Sequence, residues 1–369
     1  MPIAATSLAS GPAIEAYDSI DDILGDGRHR FFSQGYKNTN PMLRGLRVSH
    51  TVPESTLTAT ASLGVQGSWS VKGTSAQTPH LGTTDVLVLA ARAAEALLAS
   101  RYSPDVLPAA YIRSVTISGG SQPVEDSLAD LPCTASLQTV TNPDADSLGL
   151  SFLRCSVASM SAELELVHGV TELGLASVQS PSEDALVGDA GTRLYGKLWT
   201  QRQVSLLDVA VNPDDGTVGA RVTVRQHPGT SGESPLPHGE FNLPQGERNG
   251  LEAAYPKAMS AVEHFVAALQ LGQVLLYRLD AMSRAKSNTL WMRKTRISLQ
   301  QAGPTAVDGT GAGSHLDVRL RRSRLIAKDG ETWRVADVVG KFDGGEVVCS
   351  VAHQLPDDVV GAHAAGAQR

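Results

Sequence analysis

At 369 residues the chain is too long for one small module and fits two domains or two copies of one fold. Hydrophobic residues make up 41%, with Gly 35 and Pro 19, so each half can bury a core and collagen-like or wholly disordered chains are excluded. A net charge of −7 weighs against a general nucleic-acid binder, which is usually basic.

Cys133, Cys155 and Cys349 are odd in number and far apart, with no CxxC or Cys/His metal spacing. They read as free thiols of a reducing compartment, and no metal site is expected. The opening MPIAATSLASGPA lacks a basic segment followed by an apolar run, so it is a poor signal peptide. No stretch approaches the roughly 20 apolar residues of a membrane span. A soluble, cytoplasmic protein is the expectation.

Residues 1–14 are small, polar and proline-punctuated, and read as a disordered tail. In YDSIDDILGDGRHRFFSQGY (17–36), Ser19 with Asp21 and Asp22 caps a short helix and Phe31 and Phe32 can plug a core. Strand-like sequence follows at 45–65. TDVLVLAARAAEALLASRY (84–102) predicts a helix apolar on most of its circumference, with a narrow polar stripe of Asp85, Arg92 and Glu95. Further strands are predicted at 111–117 and 148–169. The stretch 177–192 is polar and turn-rich and reads as a linker.

The pattern then recurs. Strands at 206–226 precede a polar loop (234–250) that carries His238. A second apolar helix spans 256–280, with a stripe of Glu263, Gln270 and Gln273 at the spacing of the first stripe. WMRKTRI (291–297) matches YIRSVTI (111–117), and strands at 315–342 match those at 148–169. GTGAGS (309–314) has phosphate-loop glycines but leads into strand-like sequence, so it reads as a turn. Arg319, Arg321, Arg322 and Arg324 form a basic cluster, read as solvated, with docking of an acidic acyl-carrier protein or a sugar phosphate as the functional alternative. Residues 359–369 read as a flexible tail.

The common order implies internal duplication, with an N-terminal unit over 15–180 and a C-terminal unit over 190–358. A long apolar helix among antiparallel strands describes an α+β tandem (double) hotdog: two antiparallel sheets, each wrapped around a long central helix. The runner-up is an ordinary two-domain α+β protein.

The SIDDILG run, the Arg30-Phe31-Phe32 triplet and Gly35-Tyr36 resemble the opening of the AvrD family, avirulence protein D of bacteria. The resemblance implies synthesis of syringolide-like acyl glycosides, in which a β-ketoacyl thioester is joined to a xylulose-like ketose to give a lactone. The AfsA-type butyrolactone synthases are similar in logic. The partners so implied are a ketose and an acyl thioester on coenzyme A or an acyl-carrier protein, with no cofactor. No catalytic residue of the family lies in the matched motif.

Candidate chemistry therefore rests on the stripes. A carboxylate on an apolar helix is costly unless paired, and burial raises its pKa toward the range of a general acid or base. Glu263 and Asp85 sit near the helix starts, with His264 and His80 beside them, and are the catalytic candidates. Glu95, Arg92, Gln270 and Gln273 are the substrate-binding candidates. The bland readings are a helix cap for Asp85 and an Arg92–Glu95 pair along the helix. A thioester dehydratase or hydrolase, or a non-catalytic acyl-binding protein, fits the same residues.

Overall fold

The computed structural model describes residues 14–51, 53–67, 69–141, 148–170, 176–226, 248–288, 290–299 and 314–359. The chain begins with β1 (Glu15–Ser19), a single helical turn α1 (Asp21–Leu24) and two 3-10 turns, Gly27–His29 and Gly35–Asn38. β2 (Thr39–Thr51) and β3 (Glu54–Val65) form a hairpin, and β4 (Val71–Lys72) and β5 (Ser75–Ala76) form a small separate one. Helix α2 (Thr83–Arg101) precedes β6 (Tyr111–Ser118), β7 (Leu131–Thr141), β8 (Leu148–Val157) and β9 (Met160–Gly169).

The sequence of elements then repeats. β10 (Val178–Ser182), α3 (Asp184–Val187) and 3-10 turns at Ala190–Thr192 and Leu198–Gln201 lead into β11 (Arg202–Asn212) and β12 (Thr217–Gln226). Helix α4 (Ala261–Leu279) is followed by β13 (Leu290–Leu299), β14 (Ser314–Lys328), β15 (Glu331–Phe342) and β16 (Gly345–Gln354). Residues 177–192, read as a linker, thus hold a strand and a helical turn. Their start is a second copy of the N-terminal motif: Gly25-Asp26 and Gly188-Asp189 make the same turn, each aspartate capping a 3-10 helix through the amide two residues on.

The expected pair of sheets is one sheet. Fourteen strands run in the order β1-β11-β12-β14-β15-β16-β13-β6-β9-β8-β7-β3-β2-β10. The halves fuse because β13 and β6 pair edge to edge, antiparallel, with Arg296 opposite Thr116. These two residues are equivalent under the 180-residue repeat, so the joint is self-complementary in the manner of a two-fold interface. Closing it removes an exposed edge from each half.

The leading segments are exchanged. β1 of the first half pairs with β11 of the second, and β10 of the second pairs with β2 of the first.

Each helix packs on six strands of its own half: α2 on β2, β3, β6, β7, β8 and β9, and α4 on β11 to β16. Every residue from Thr83 to Ala99 and from Ala261 to Tyr277 is buried, as all-round apolarity requires. Close approach at α4 depends on Gly272, where a Cβ would lie 2.6 Å from Val338. The basic cluster of β14 is exposed, with Arg322 held 2.9 Å from Asp337. The predicted tails (1–14 and 359–369, apart from Ile14 and Val359), His238 and residues 309–313 lie outside the described residues. The three cysteines are free and buried.

Candidate active site at the helix starts

Asp85 and Glu263 occupy the same place, the third residue of α2 and of α4. Each carboxylate turns back to accept the amide that opens its helix, Gly82 N–H at 2.9 Å and Ser260 N–H at 2.5 Å. Their second partners differ. Asp85 accepts the Thr39 hydroxyl at 2.7 Å, whereas Glu263 lies 3.0 Å from the Arg202 guanidinium. Thr39 and Arg202 each open a long strand, 163 residues apart. Between the two helix starts Tyr36 stacks on Trp199, again a pair 163 apart, with ring centroids 5.8 Å from each other.

Burial without a cation pushes the Asp85 carboxyl up to about 6, against the pull of the Thr39 hydroxyl and the Gly82 amide. The charged groups gather on the other side, around Glu263. Lys37 is lowered to about 8 by burial, with the Glu263 charge opposing.

Glu252 is a further carboxyl there. Its Oε1 accepts Ile112 N–H and its Oε2 accepts the Tyr195 hydroxyl, both at 3.1 Å. Burial carries it to about 7; the Ile112 amide and Tyr195 hydroxyl lower it, and the Glu263 charge adds to the rise. Its backbone is left-handed, at φ 66°, an unfavourable conformation for a side chain larger than Gly. Glu252 lines a water-sized cavity together with Arg202, Arg248, Asn249, Thr192 and Leu198. A carboxyl that ionises near neutrality thus shares a cavity wall with two guanidinium groups.

The candidate histidines do not join the carboxylates. His264 donates from Nδ1 to Ser260 C=O at 2.8 Å and packs on Phe342, with ring centroids 4.6 Å apart. His80 bonds Thr78 C=O at 3.2 Å and lies against Trp69, at 4.5 Å between centroids. Burial lowers the pKa of both.

Arg92 and Glu95 do not pair with each other. Arg92 holds Glu183 and the carbonyls of Tyr195 (2.6 Å) and Gly196, whereas Glu95 holds Arg193 and accepts Leu251 N–H at 2.9 Å. Both are anchors for the exchanged segment of the second half. Arg30, the counterpart of Arg193, ties Asp21 as Arg193 ties Asp184, but on the helix it reaches Gln270, the counterpart of Arg92, at 3.0 Å, whereas Arg193 reaches Glu95. Gln273 donates to the Tyr277 hydroxyl at 3.2 Å.

Thr39, Arg202, Tyr195 and Glu252 were not among the sequence candidates. The 163-residue repeat of the N-terminal motif was the signal for the first two. Glu252 lies outside any periodic segment and carried none.

A family profile described as Pseudomonas avirulence D protein (AvrD) matches residues 15–356, and the chain belongs to that family. A comparison with curated proteins found no match. Among solved structures the chain is similar to a tesB protein of Mycobacterium avium subs paratuberculosis, at 11% identity over 83% of this chain and 94% of that one, TM-score 0.32. It is also similar to a conserved protein of unknown function with hot dog fold from Alicyclobacillus acidocaldarius (11%, 84% and 96%, TM-score 0.34). A third likeness is to the dehydratase domain of RzxB from Pseudomonas fluorescens (14%, 84% and 95%, TM-score 0.30). At these levels none of them bears on the chemistry of this chain. No helix among the described residues is long and apolar enough to cross a membrane. Nor do the described residues include a group of three or more His, Cys, Asp or Glu placed to hold a metal.

Proposed function

We propose that the chain is a double-hotdog enzyme that condenses a β-ketoacyl thioester with a small, xylulose-like ketose to give an acyl glycoside or lactone. Membership of the AvrD family supports a biosynthetic reading. The observation that carries the chemistry is Glu252, raised to about 7 and placed on one cavity wall with Arg202 and Arg248.

In this scheme Glu252 takes the proton of a ketose hydroxyl as its oxygen attacks the thioester carbonyl. Arg202 and Arg248 stabilise the oxyanion of the tetrahedral intermediate. The attack forms the C–O bond; collapse of the oxyanion restores the carbonyl and breaks the C–S bond, and the proton on Glu252 passes to the leaving thiolate. Glu263 positions Arg202, and Tyr195 orients Glu252. Asp85, at about 6, is the second carboxyl able to exchange a proton near neutrality, and serves the later carbon–carbon closure. Of the sequence candidates, His264 and His80 are assigned to packing. The scheme needs no cofactor beyond the thioester carrier, whether coenzyme A or carrier protein, and is set in the cytoplasm.

The test is mass spectrometry of the purified protein incubated with a β-ketoacyl thioester, with and without a panel of ketoses. A product mass equal to acyl plus ketose, less the thiol, is expected and is lost in Glu252→Gln. Thioester loss without an acceptor would replace condensation with hydrolysis. Acyl binding without turnover would make the protein a binding module.

A further inference from the structure

We propose that the C-terminal end of α4 carries a binding site for a phosphate ester, built from Lys72, Arg284, His353 and Tyr277. His353, near the end of β16, is fully buried, and neither ring nitrogen has a partner among the described residues. Its counterpart 185 residues earlier, His168 near the end of β9, is bonded at both: Nδ1 donates to Gly169 C=O and Nε2 accepts from the Ser151 hydroxyl, each at 2.7 Å. The second half has Ala336 where the first has Ser151. A buried imidazole with neither bond is unfavourable unless something else supplies them.

The surroundings are cationic. Lys72, on the β4–β5 hairpin, lies within electrostatic reach of both His353 and Arg284. The hairpin rests on the 284–286 turn, where a Cβ on Gly73 would sit 3.4 Å from Ala285 C=O. Lys72 bonds the Asn288 carbonyl, and Arg284 bonds the carbonyls of His29 (2.6 Å) and Val71 (2.7 Å), all neutral partners. The nearby carboxylates are engaged, Asp280 with Arg334 at 2.6 Å and Asp21 with Arg30. Beneath this rim the Tyr277 ring stands 5.8 Å from His353, and its hydroxyl is shared with Ser287 (3.3 Å) and Gln273 (3.2 Å). A phosphate dianion would draw on the two cations, the His353 N–H and the Tyr277 hydroxyl. The remaining His353 nitrogen would accept a hydroxyl of the ligand.

Phosphate esters reach such a site either as small sugar phosphates or as the pantetheine phosphate of an acyl carrier. Tyr277 lies fourteen helical steps beyond Glu263, about 21 Å of rise, so only a long arm spans the distance to the proposed reacting centre. Gln270 and Gln273 line the same face of α4 between the two. This extension to the thioester arm rests on the proposed function; the phosphate site itself does not.

The test is calorimetric titration of the full chain with coenzyme A, 4′-phosphopantetheine, pantetheine, glycerone phosphate and xylulose, with Lys72→Gln and Arg284→Gln as variants and thermal unfolding as the control for folding. The expected result is that a phosphorylated ligand binds at least about tenfold more tightly than the forms without phosphate. Lys72→Gln, at the rim, weakens that binding about tenfold or more with its melting temperature unchanged. Preference for 4′-phosphopantetheine supports the carrier as source, and preference for glycerone phosphate supports the small ester. Equal binding of phosphorylated and unphosphorylated forms, or binding indifferent to both variants, would overturn the site. Phosphate binding without any condensation would leave the site standing and remove the proposed function, whereas condensation indifferent to Lys72 and Arg284 would remove only the site.

Discussion

Thr39 and Arg202 stand at the same place in the two halves and give opposite surroundings to equivalent carboxylates. One offers Asp85 a neutral hydroxyl, and the other offers Glu263 a cation. The duplicated frame has been kept while the charge at its two helix starts has diverged.

Removing that cation should be costly. Arg202 and Glu263 are both buried, so Arg202→Thr leaves a carboxylate without its ion pair and is expected to lose about 3–5 kcal/mol in urea unfolding at pH 7. The double variant Arg202→Thr/Glu263→Asp copies the first half and should recover part of that loss. A double variant no more stable than the single one would deny the equivalence of the two helix starts.

Glu252→Gln keeps an acceptor for the Ile112 amide but cannot take a proton. Turnover is expected to fall by about 10²–10⁴ with the fold intact. In the unsubstituted enzyme kcat/KM should rise with pH through about 7 and level off above it, because the base is the ionised form. Retained activity with an unchanged pH profile in Glu252→Gln would exclude this residue as the base.

Asp85 and Glu252 also make stability depend on pH. Burial raises both above their unfolded values, to about 6 and about 7, so the folded chain holds more protons between pH 4 and 7. Their contribution is full at low pH and is lost as pH rises through the folded values, about 3 kcal/mol for each group. Urea unfolding followed from pH 4 to 8 should show the decline, and Asp85→Asn should flatten it below pH 6.

The two anchoring arginines should differ in worth. Arg193 and Glu95 are both fully buried, whereas the Asp21 partner of Arg30 is half exposed and Gln270 is neutral. Arg193→Met is expected to destabilise by about 3–5 kcal/mol and Arg30→Met by less. Equal losses in denaturant unfolding would contradict the asymmetry.

Much of the frame was legible in the sequence because periodicity reports burial directly. Both long helices and their matching stripes follow from apolar patterning. The match of 148–169 to 315–342, however, is displaced by one strand: β7 and β16 are not among the predicted strands, and in the sheet β8 and β9 correspond to β15 and β16. The joining of the halves was not legible, since nothing in YIRSVTI or WMRKTRI says that Thr116 and Arg296 will face each other across a joint. The second copy of the N-terminal motif was hidden by substitution: Gly-Asp and a downstream arginine persist at 188, 189 and 193, but the phenylalanines do not. Arg92 and Glu95 misled for a related reason, because spacing along a helix predicts a local pair and cannot see partners about 90 to 100 residues away. Glu252 lies in a stretch with no period, where a carboxylate reads as solvated until the surrounding chain is in place.

The exchange of leading segments bears on how such a chain arises and how it can be divided. Each half borrows an edge strand, and each central helix a buried partner, from the opposite half, so a cut near residue 177 does not yield two self-sufficient pieces. A single repeat with its arm reaching onto a twin would form the same joint as a homodimer. The 369-residue chain has the geometry of such a dimer made permanent by fusion. Fusion frees each half from having to serve both itself and an identical copy, which lets Arg202 and His353 take environments that their counterparts Thr39 and His168 do not share.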